Sequence, residues 1–140
     1  MSYTEPGNPR LLLVEDERDI KYLLERSLTN SGFHVEAFLD PSEALANYEP
    51  KSYDGIILDI RMPKISGFEL ARKIWDIDPS ARICFLTAYE HYREDAKWAV
   101  PGDKSLCFMV KPKSPSEVVE HLKSHGITPD SKSKDAKSHC

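Results

Sequence analysis

Acidic side chains follow two apolar segments of the chain, at the point where each segment ends. Leu11–Val14 runs into Glu15 and Asp16, and Gly55–Leu58 runs into Asp59. Two carboxylates about 4 Å apart repel each other by about 4 kcal/mol at an effective dielectric constant of about 20, so a fold that joins them needs a cation. Oxygen ligands without cysteine or histidine suit Mg²⁺, which takes one or two carboxylates and keeps several waters. These acids therefore predict a magnesium site if the two segments are neighbours.

Two later apolar segments end in residues that suit a phosphate. Thr87 follows one of them and offers a hydroxyl group, and Lys111 follows the other and offers a cation. Plainer interpretations stay open, because Asp16 can cap a helix, Asp59 can form a turn, and Thr and Lys are common in strands and on surfaces. Together the four residues favour phosphoryl chemistry, which depends mainly on positioning and charge neutralisation around a nucleophile.

The chain alternates short apolar runs with helical patterns, which is typical of repeated βα units around a parallel sheet. The predicted strands are Leu11–Val14, His34–Phe38, Gly55–Leu58, Ile83–Leu86 and Leu106–Val110. The predicted helices are Glu17–Ser31, one that Asp40 caps and Pro41 begins, Phe68–Ile77, Glu90–Val100, and one that Ser114 caps and Pro115 begins. Trp98 is the main apolar anchor that the sequence offers for the fourth helix.

The pattern of the second strand and the handedness of the connections favour one order of the strands. The second strand alternates apolar and polar residues, as an edge strand does, and crossover connections are right-handed. We therefore predict an α/β fold with a flavodoxin-like, doubly wound five-stranded parallel sheet of order 2-1-3-4-5 and helices on both faces. Strands 1, 3, 4 and 5 are then neighbours, so the polar residues that follow them share one crevice at the carboxyl edge of the sheet.

The composition is that of one globular domain. The chain has 140 residues, 40% hydrophobic and 30% charged, and no apolar run approaches the roughly 18 residues that span a membrane. Its net charge of −4 gives no general attraction for nucleic acid, so we expect neither nucleic-acid binding nor membrane insertion. The three cysteines lack CxxC spacing, which favours a cytoplasmic protein, with Cys84 and Cys107 as buried small hydrophobic residues and no zinc site.

Four segments, VEDE, IILDIRMPKISG, LTA and VKP, make the chain similar to the receiver domain of two-component response regulators. The aspartate followed by xxMPxxxG is the most specific of these segments. The resemblance covers roughly residues 10–126, and the polar ends, residues 1–9 and 127–140, are predicted to be disordered. Because only a short polar segment follows the domain, we expect a stand-alone receiver.

The resemblance implies a role for the acids. Asp59 is the residue that is phosphorylated. Asp16, Asp59 and the backbone carbonyl of Arg61 hold Mg²⁺, and Glu15 binds the ion through water. Receiver domains often carry two aspartates at the positions of Glu15 and Asp16, and the version with glutamate is also familiar.

The resemblance also implies how the phosphate is held and sensed. Thr87 donates a hydrogen bond to one phosphoryl oxygen, and Lys111 neutralises another. Phe108 matches the aromatic residue that moves with Thr87 when the domain switches, although an ordinary core aromatic is the plainer interpretation. The Lys111–Pro112 bond matches a cis peptide that aims the lysine at the site.

The implied function is a phosphorylation-dependent signalling switch. A sensor histidine kinase or phosphotransfer protein supplies the phosphoryl group, and the face made by the fourth helix, fifth strand and fifth helix then controls a downstream protein that the sequence does not identify. Such a domain is not a conventional enzyme, although it promotes its own aspartyl phosphorylation and dephosphorylation. We expect a monomer or a phosphorylation-dependent dimer.

Two other functions stay open. A phosphatase of the haloacid dehalogenase type also uses an aspartate after a strand, but it needs a second acid two residues later, where this chain has Arg61. A receiver-like module that binds proteins without being phosphorylated is the other alternative, and the complete set of polar site residues argues against it. Arg61 and Tyr89 either shield an acyl phosphate from water or are simply exposed.

Overall fold

A computed structural model describes residues 8–102, 104–111 and 114–128 of the chain. Within these residues, five strands alternate with five helices. The strands are β1 (Arg10–Val14), β2 (His34–Phe38), β3 (Gly55–Asp59), β4 (Ile83–Thr87) and β5 (Cys107–Val110). The helices are α1 (Arg18–Asn30), α2 (Pro41–Ala46), α3 (Gly67–Ile77), α4 (Tyr92–Ala99) and α5 (Pro115–Ser124).

The strands form one parallel sheet in the order β2-β1-β3-β4-β5. The prediction of a flavodoxin-like, doubly wound sheet is therefore confirmed. Val14 lies beside Leu58 across the β1–β3 pair, and Thr87 lies beside Val110 across the β4–β5 pair. The carboxyl ends of these strands are thus level with one another, and the residues that follow them face the same edge of the sheet.

Helices cover both faces of the sheet and create two cores. Leu12 and Val14 belong to the core on the side of α2, α3 and α4, whereas Leu11 and Leu13 belong to the core on the side of α1 and α5. This division arises because successive side chains of a strand point to opposite faces. A central strand between two helical layers must therefore be apolar throughout, as β1 is after its first residue.

The predicted starts of the second and fifth helices are confirmed by their caps. The Asp40 side chain accepts a hydrogen bond from the Ser42 N–H at 2.8 Å, and Pro41 begins α2. Ser114 and Glu117 form a capping box, in which each backbone N–H donates to the side chain of the other residue. These bonds satisfy N–H groups that the first turn of a helix leaves without partners.

The prediction that Trp98 anchors the fourth helix is wrong. Its side chain is 87% exposed, and Ala96 is the residue of α4 that is buried. Positions two apart on an α-helix lie about 200° apart around its axis. When Ala96 faces the sheet, Trp98 must therefore face solvent.

The prediction for Cys84 and Cys107 needs a correction. Both residues are buried, as expected, but a disulfide bond joins them. They lie directly beside each other in the β4–β5 register, with 4.5 Å between their Cα atoms. The pairing of the two strands, rather than any local spacing, brings these cysteines together.

Packing extends to both ends of the described chain. The Pro9 carbonyl accepts a hydrogen bond from the His34 N–H at 2.9 Å, and Ile127 is only 2% exposed. The packed region thus reaches one residue beyond each end of the domain that the sequence predicts. No helix in the described ranges combines the length and the apolar character needed to cross a membrane.

Candidate functional site

Three carboxylates meet where β1 and β3 end. One oxygen atom from each of Glu15, Asp16 and Asp59 lies within 4.8 Å of the other two. Glu15 is fully buried and Asp59 is 4% exposed, while Asp16 is partly exposed. Asp16 is not the cap of α1, because that position belongs to Glu17, whose side chain makes no capping hydrogen bond. The plainer interpretation of Asp16 therefore does not apply.

Lys111 places its ammonium group among these acids. The Nζ atom lies 2.8 Å from Glu15 Oε1 and 3.6 Å from Asp59 Oδ2. The backbone N–H of Lys111 donates a hydrogen bond to the Thr87 carbonyl at 2.6 Å, which continues the β4–β5 pairing to the edge of the sheet. Burial lowers the pKa of Lys111, but the hydrogen bond and charge of Glu15, together with the charge of Asp59, outweigh it and raise that pKa. Lys111 therefore remains a cation at neutral pH.

The surroundings of Asp59 disfavour its charge. Burial, a hydrogen bond with Asp16 and repulsion from Glu15 raise the pKa of Asp59, and the charge of Lys111 offsets only part of this effect. In the described part of the chain, Lys111 is the only base that forms an ion pair with Glu15 or Asp59. The acids thus keep an excess of negative charge. Oxygen donors with such an excess fit a hard divalent cation, and Mg²⁺ in particular.

The glycine that ends the segment after Asp59 has a geometric role. The Gly67 N–H donates to the Ile60 carbonyl at 2.8 Å, and a Cβ atom on Gly67 would lie 2.3 Å from the carbonyl oxygen of Asp59. Within this segment Lys64 adopts a positive φ of 76°. Glycine therefore lets α3 begin in direct contact with the backbone that carries Asp59.

Arg61 and Tyr89 form one side of the site. The guanidinium carbon of Arg61 lies 4.9 Å from the centre of the Tyr89 ring, a cation–π contact between the loops that follow β3 and β4. Tyr89 is 41% exposed. The two side chains are thus stacked on each other at the rim of the site.

Thr87 and Phe108 lie on the same face of neighbouring strands. Thr87 is fully buried, and its Oγ1 accepts a hydrogen bond from the Tyr89 N–H at 3.2 Å. Phe108 is 4% exposed and pairs with Phe85, two residues before Thr87. The guanidinium carbon of Arg93, from α4, lies 4.6 Å from the centre of the Phe108 ring. Phe108 is therefore in contact with α4 while Thr87 borders the carboxylates.

The site residues border a crevice of about 380 Å³. Its lining consists of Asp16, Glu17, Asp59, Arg61, Thr87, Ala88, Tyr89 and Lys111. Glu17 is a residue of the crevice that the sequence pattern does not predict, and its Oε1 lies 3.6 Å from Lys111 Nζ. Its position directly after Glu15 and Asp16 is the signal that was available. Pro112, the second residue of the predicted cis peptide, lies outside the described residues.

Residues 11–123 match the family model of the response regulator receiver domain. The chain belongs to this family. Receiver domains are the signalling switches of two-component systems and are generally not conventional enzymes, in agreement with the prediction from the sequence. The interpretation as a haloacid dehalogenase phosphatase loses its support, since Arg61 stacks on Tyr89 where that chemistry needs an acid.

Curated relatives of the receiver domain include both short and longer proteins. The domain is 32% identical over 114 residues to the chemotaxis protein CheY of Thermotoga maritima, a match that covers 81% of this chain and 93% of CheY. It is also 32% identical over 120 residues to the transcriptional regulatory protein PrrA of Mycobacterium leprae, which covers 86% of this chain and 51% of PrrA. The chain thus spans about half the length of PrrA.

A solved structure of a relative contains the ion that the sequence predicts. The response regulator TrrA of Thermotoga maritima, in complex with Mg²⁺-BeF, superimposes with a TM-score of 0.72 and 38% identity over 83% of this chain and 97% of TrrA. TrrA has also been solved in complex with the histidine kinase ThkA, with a TM-score of 0.70 to the receiver domain described above.

Proposed function

We propose that this receiver domain is a switch that is phosphorylated on Asp59. The observation that carries the proposal is the buried Asp59 carboxylate at the carboxyl end of β3, with Glu15 and Asp16 within 4.8 Å and the Lys111 ammonium 3.6 Å away. This arrangement supports the proposal because phosphoryl transfer needs positive charge around the nucleophile, which Lys111 and a metal ion at the carboxylates would supply.

Mg²⁺ is the cofactor of this proposal. The side chains of Asp16 and Asp59 and the backbone carbonyl of Arg61 would hold the ion, and Glu15 would bind it through water. The excess of negative charge at these carboxylates supports this ligand set, as does the Mg²⁺-BeF complex of TrrA. When bound, Mg²⁺ would neutralise negative charge on oxygen atoms of the transferring phosphoryl group.

The donor is a phosphohistidine on a sensor histidine kinase or phosphotransfer protein. A carboxylate oxygen of Asp59 attacks phosphorus, the phosphorus–nitrogen bond breaks, and its electron pair remains on the imidazole nitrogen, which is protonated from solvent. Lys111 neutralises charge on the phosphoryl oxygens. The product is an aspartyl phosphate, and attack of water on its phosphorus regenerates the Asp59 carboxylate and releases phosphate. The complex of TrrA with ThkA supports a kinase as the partner.

A phosphoryl group on Asp59 would change the positions of two side chains, one on β4 and one on β5. A threonine hydroxyl group can donate one hydrogen bond, and we assign the hydrogen bond donated by the Thr87 hydroxyl to a phosphoryl oxygen. Movement of Thr87 would change the room available to Phe108, because both side chains project from the same face of adjacent strands. Phe108 contacts Arg93 of α4, so the face formed by α4, β5 and α5 is the surface that we assign to the downstream protein.

The stacked Arg61 and Tyr89 side chains are assigned to the lifetime of the aspartyl phosphate. Both line the crevice that contains Asp59, so they limit the directions from which water can approach the phosphorus atom. The proposal also includes a cytoplasmic location, a domain over residues 10–126 extended by the packed residues Pro9 and Ile127, and a monomer or phosphorylation-dependent dimer.

Phosphorylation can be tested with acetyl phosphate and Mg²⁺ followed by intact-protein mass spectrometry. We expect the wild type to gain the mass of one phosphoryl group and to lose this gain when EDTA replaces Mg²⁺. Asp59→Asn should show no gain, whereas Asp76→Asn, an exposed position on α3, serves as the matched control and should behave like the wild type.

A gain that persists in Asp59→Asn would place the phosphate on another residue and contradict the proposal. If the wild type gains no mass either from acetyl phosphate or from a phosphorylated histidine kinase, the alternative of an unphosphorylated protein-binding module is favoured instead.

A further inference from the structure

A second group of reactive side chains lies at the opposite edge of the sheet from Asp59. Cys84 is the second residue of β4 and Cys107 is the first residue of β5, so both lie near the amino ends of their strands. Both side chains belong to the core between the sheet and α5. The disulfide between them therefore faces α5.

The end of α5 places two imidazoles above this disulfide. His121 and His125 are four residues apart, so they lie on the same side of the helix, and their ring centres are 5.2 Å apart. One ligand atom from each of Cys107, His121 and His125 lies within 4.8 Å of the other two. Cys84 is outside this group of three, but its sulfur is bonded to that of Cys107 and so lies next to the group.

Two cysteines and two histidines are the ligand set of a tetrahedral zinc site. We propose that Cys84, Cys107, His121 and His125 bind Zn²⁺ when the disulfide is reduced. Zinc–sulfur bonds of about 2.3 Å and zinc–nitrogen bonds of about 2.0 Å separate neighbouring ligand atoms by about 3.5 Å. The ligand atoms of Cys107, His121 and His125 therefore need to approach one another by about 1 Å. The Cys84 sulfur, once its bond to Cys107 is broken, needs to move away from Cys107 and towards the histidines, and side-chain rotation allows both movements.

The oxidation state of the two sulfur atoms determines whether the proposed zinc site can form. A dithiol reductant transfers two electrons and two protons to the disulfide, which gives two thiols on the protein and a disulfide on the reductant. Zn²⁺ then displaces both thiol protons and binds the two thiolates and two neutral imidazoles. In the oxidised protein neither sulfur is a thiolate, so the two histidines alone remain as ligands.

The surroundings of the cluster suit this chemistry. A cavity of about 330 Å³ borders Cys84, Cys107 and His125, which gives an ion and a reductant access to otherwise buried sulfur atoms. Arg82 and Lys104 line the same cavity. Nearby positive charge stabilises thiolates, and two thiolates with Zn²⁺ form a site without net charge.

The proposal can be tested with Co²⁺, a spectroscopic substitute for Zn²⁺, on the 140-residue chain. Cys140→Ser is included in every protein, so that thiol counts refer to Cys84 and Cys107 alone. After reduction with a phosphine and removal of oxygen, we expect one equivalent of Co²⁺ to produce thiolate-to-cobalt charge-transfer absorption and the visible bands of tetrahedral cobalt. Added Zn²⁺ should remove both features and protect the two thiols from alkylation.

Variants separate the proposed site from adventitious binding. His121→Gln and His125→Gln change side chains that are partly exposed, so folding should be preserved, and each should weaken metal binding at least tenfold. Cys84→Ser and Cys107→Ser should abolish the charge-transfer absorption or reduce its intensity by half. His34→Gln, on the far edge strand, is the matched control and should leave binding unchanged.

Three results would overturn the proposal. They are the absence of charge-transfer absorption in the reduced protein, equal affinity of the oxidised and reduced proteins for Zn²⁺, and equal weakening of binding by His34→Gln. The test is independent of phosphorylation, because Asp59→Asn leaves all four proposed ligands in place.

Discussion

At the scale of single residues, the site at the carboxyl edge is a concentration of like charge. Glu15 and Asp59 are buried beside Asp16, and Lys111 compensates only part of their charge. Such an arrangement lowers the stability of the metal-free fold, because each ionised carboxylate raises the free energy of its neighbours. A bound cation removes this repulsion between the carboxylates, so the stability of the domain should depend on Mg²⁺.

We predict that Asp16→Asn stabilises the metal-free domain and weakens its response to Mg²⁺. Removal of one partly exposed charge should raise the free energy of unfolding in EDTA by about 1 kcal/mol. At a Mg²⁺ concentration of about 100 times the dissociation constant, the wild type should gain about 2.7 kcal/mol and the variant much less. Urea unfolding with and without Mg²⁺ measures both effects.

The control is Asp76→Asn, which removes an exposed carboxylate from α3 and should respond to Mg²⁺ as the wild type does. Equal stabilisation of Asp16→Asn and the wild type by Mg²⁺ would contradict the proposed ligand set.

At the scale of elements, the start of α3 determines where Asp59 can lie. The helix begins at Gly67, whose backbone packs closely against the Asp59 carbonyl. The Ser66 side chain caps the helix by accepting a hydrogen bond from the Glu69 N–H at 3.2 Å. A loop of a few residues thus connects Asp59 to a rigid helix. The orientation of the Asp59 carboxylate depends on this contact between backbone atoms.

We predict that Gly67→Ala destabilises the domain by about 1–3 kcal/mol, because a Cβ atom must displace backbone rather than a flexible side chain. The added Cβ would meet the Asp59 carbonyl oxygen at 2.3 Å and the Ile60 Cα at 2.9 Å. Phosphorylation by acetyl phosphate should also become slower, since Asp59 moves with its backbone. Thermal unfolding and phosphorylation rates measure the two effects.

Gly102→Ala is the matched control for this substitution, since a Cβ atom there would meet no other atom within 4 Å. A Gly67→Ala variant that is as stable as Gly102→Ala would show that α3 can shift without cost and would contradict the positional role of Gly67.

At the scale of the whole molecule, polar contacts with Asp78 connect the segments that follow α2 and α3, two helices on the same face of the sheet. Asp78, at the end of α3, is 2% exposed and accepts a hydrogen bond from the Tyr48 hydroxyl at 2.6 Å. The Lys51 N–H also donates to Asp78, at 3.0 Å, and the Ser80 hydroxyl does so at 3.2 Å. Burial raises the pKa of Asp78, but these hydrogen bonds outweigh it and lower that pKa.

We predict that Tyr48→Phe destabilises the domain by about 1–2 kcal/mol at neutral pH, because it removes one hydrogen bond to a buried carboxylate. The folded-state pKa of Asp78 is lower than its unfolded value of about 3.9, so the stabilisation is present above that pH and disappears as the pH falls through the folded-state value. The difference between variant and wild type should therefore shrink in acid. Urea unfolding at neutral and acidic pH checks the prediction.

Tyr22→Phe is the control, because Tyr22 is 58% exposed and its loss should cost little at either pH. A Tyr48→Phe penalty that stays constant into strong acid would mean that the Asp78 charge plays no part in it.

The sequence by itself determined the order of the elements, the strand order and the family. This was possible because each central strand of a parallel sheet between two helical layers is apolar throughout, and because the polar residues of the candidate site follow directly after those apolar runs. Asp59, Thr87 and Lys111 could therefore be selected by their position after a strand. Gly67 could be recognised as part of a motif, although its contact with the Asp59 carbonyl could not.

Only the tertiary structure decided which distant residues touch. Cys84 and Cys107 are 23 residues apart, and they meet because of the register of β4 and β5. The two histidines join them because of the rotation of α5 about its own axis, just as the rotation of α4 leaves Trp98 in solvent. Strand register and helix rotation are set by packing across the sheet, and the local pattern of a single segment determines neither of them.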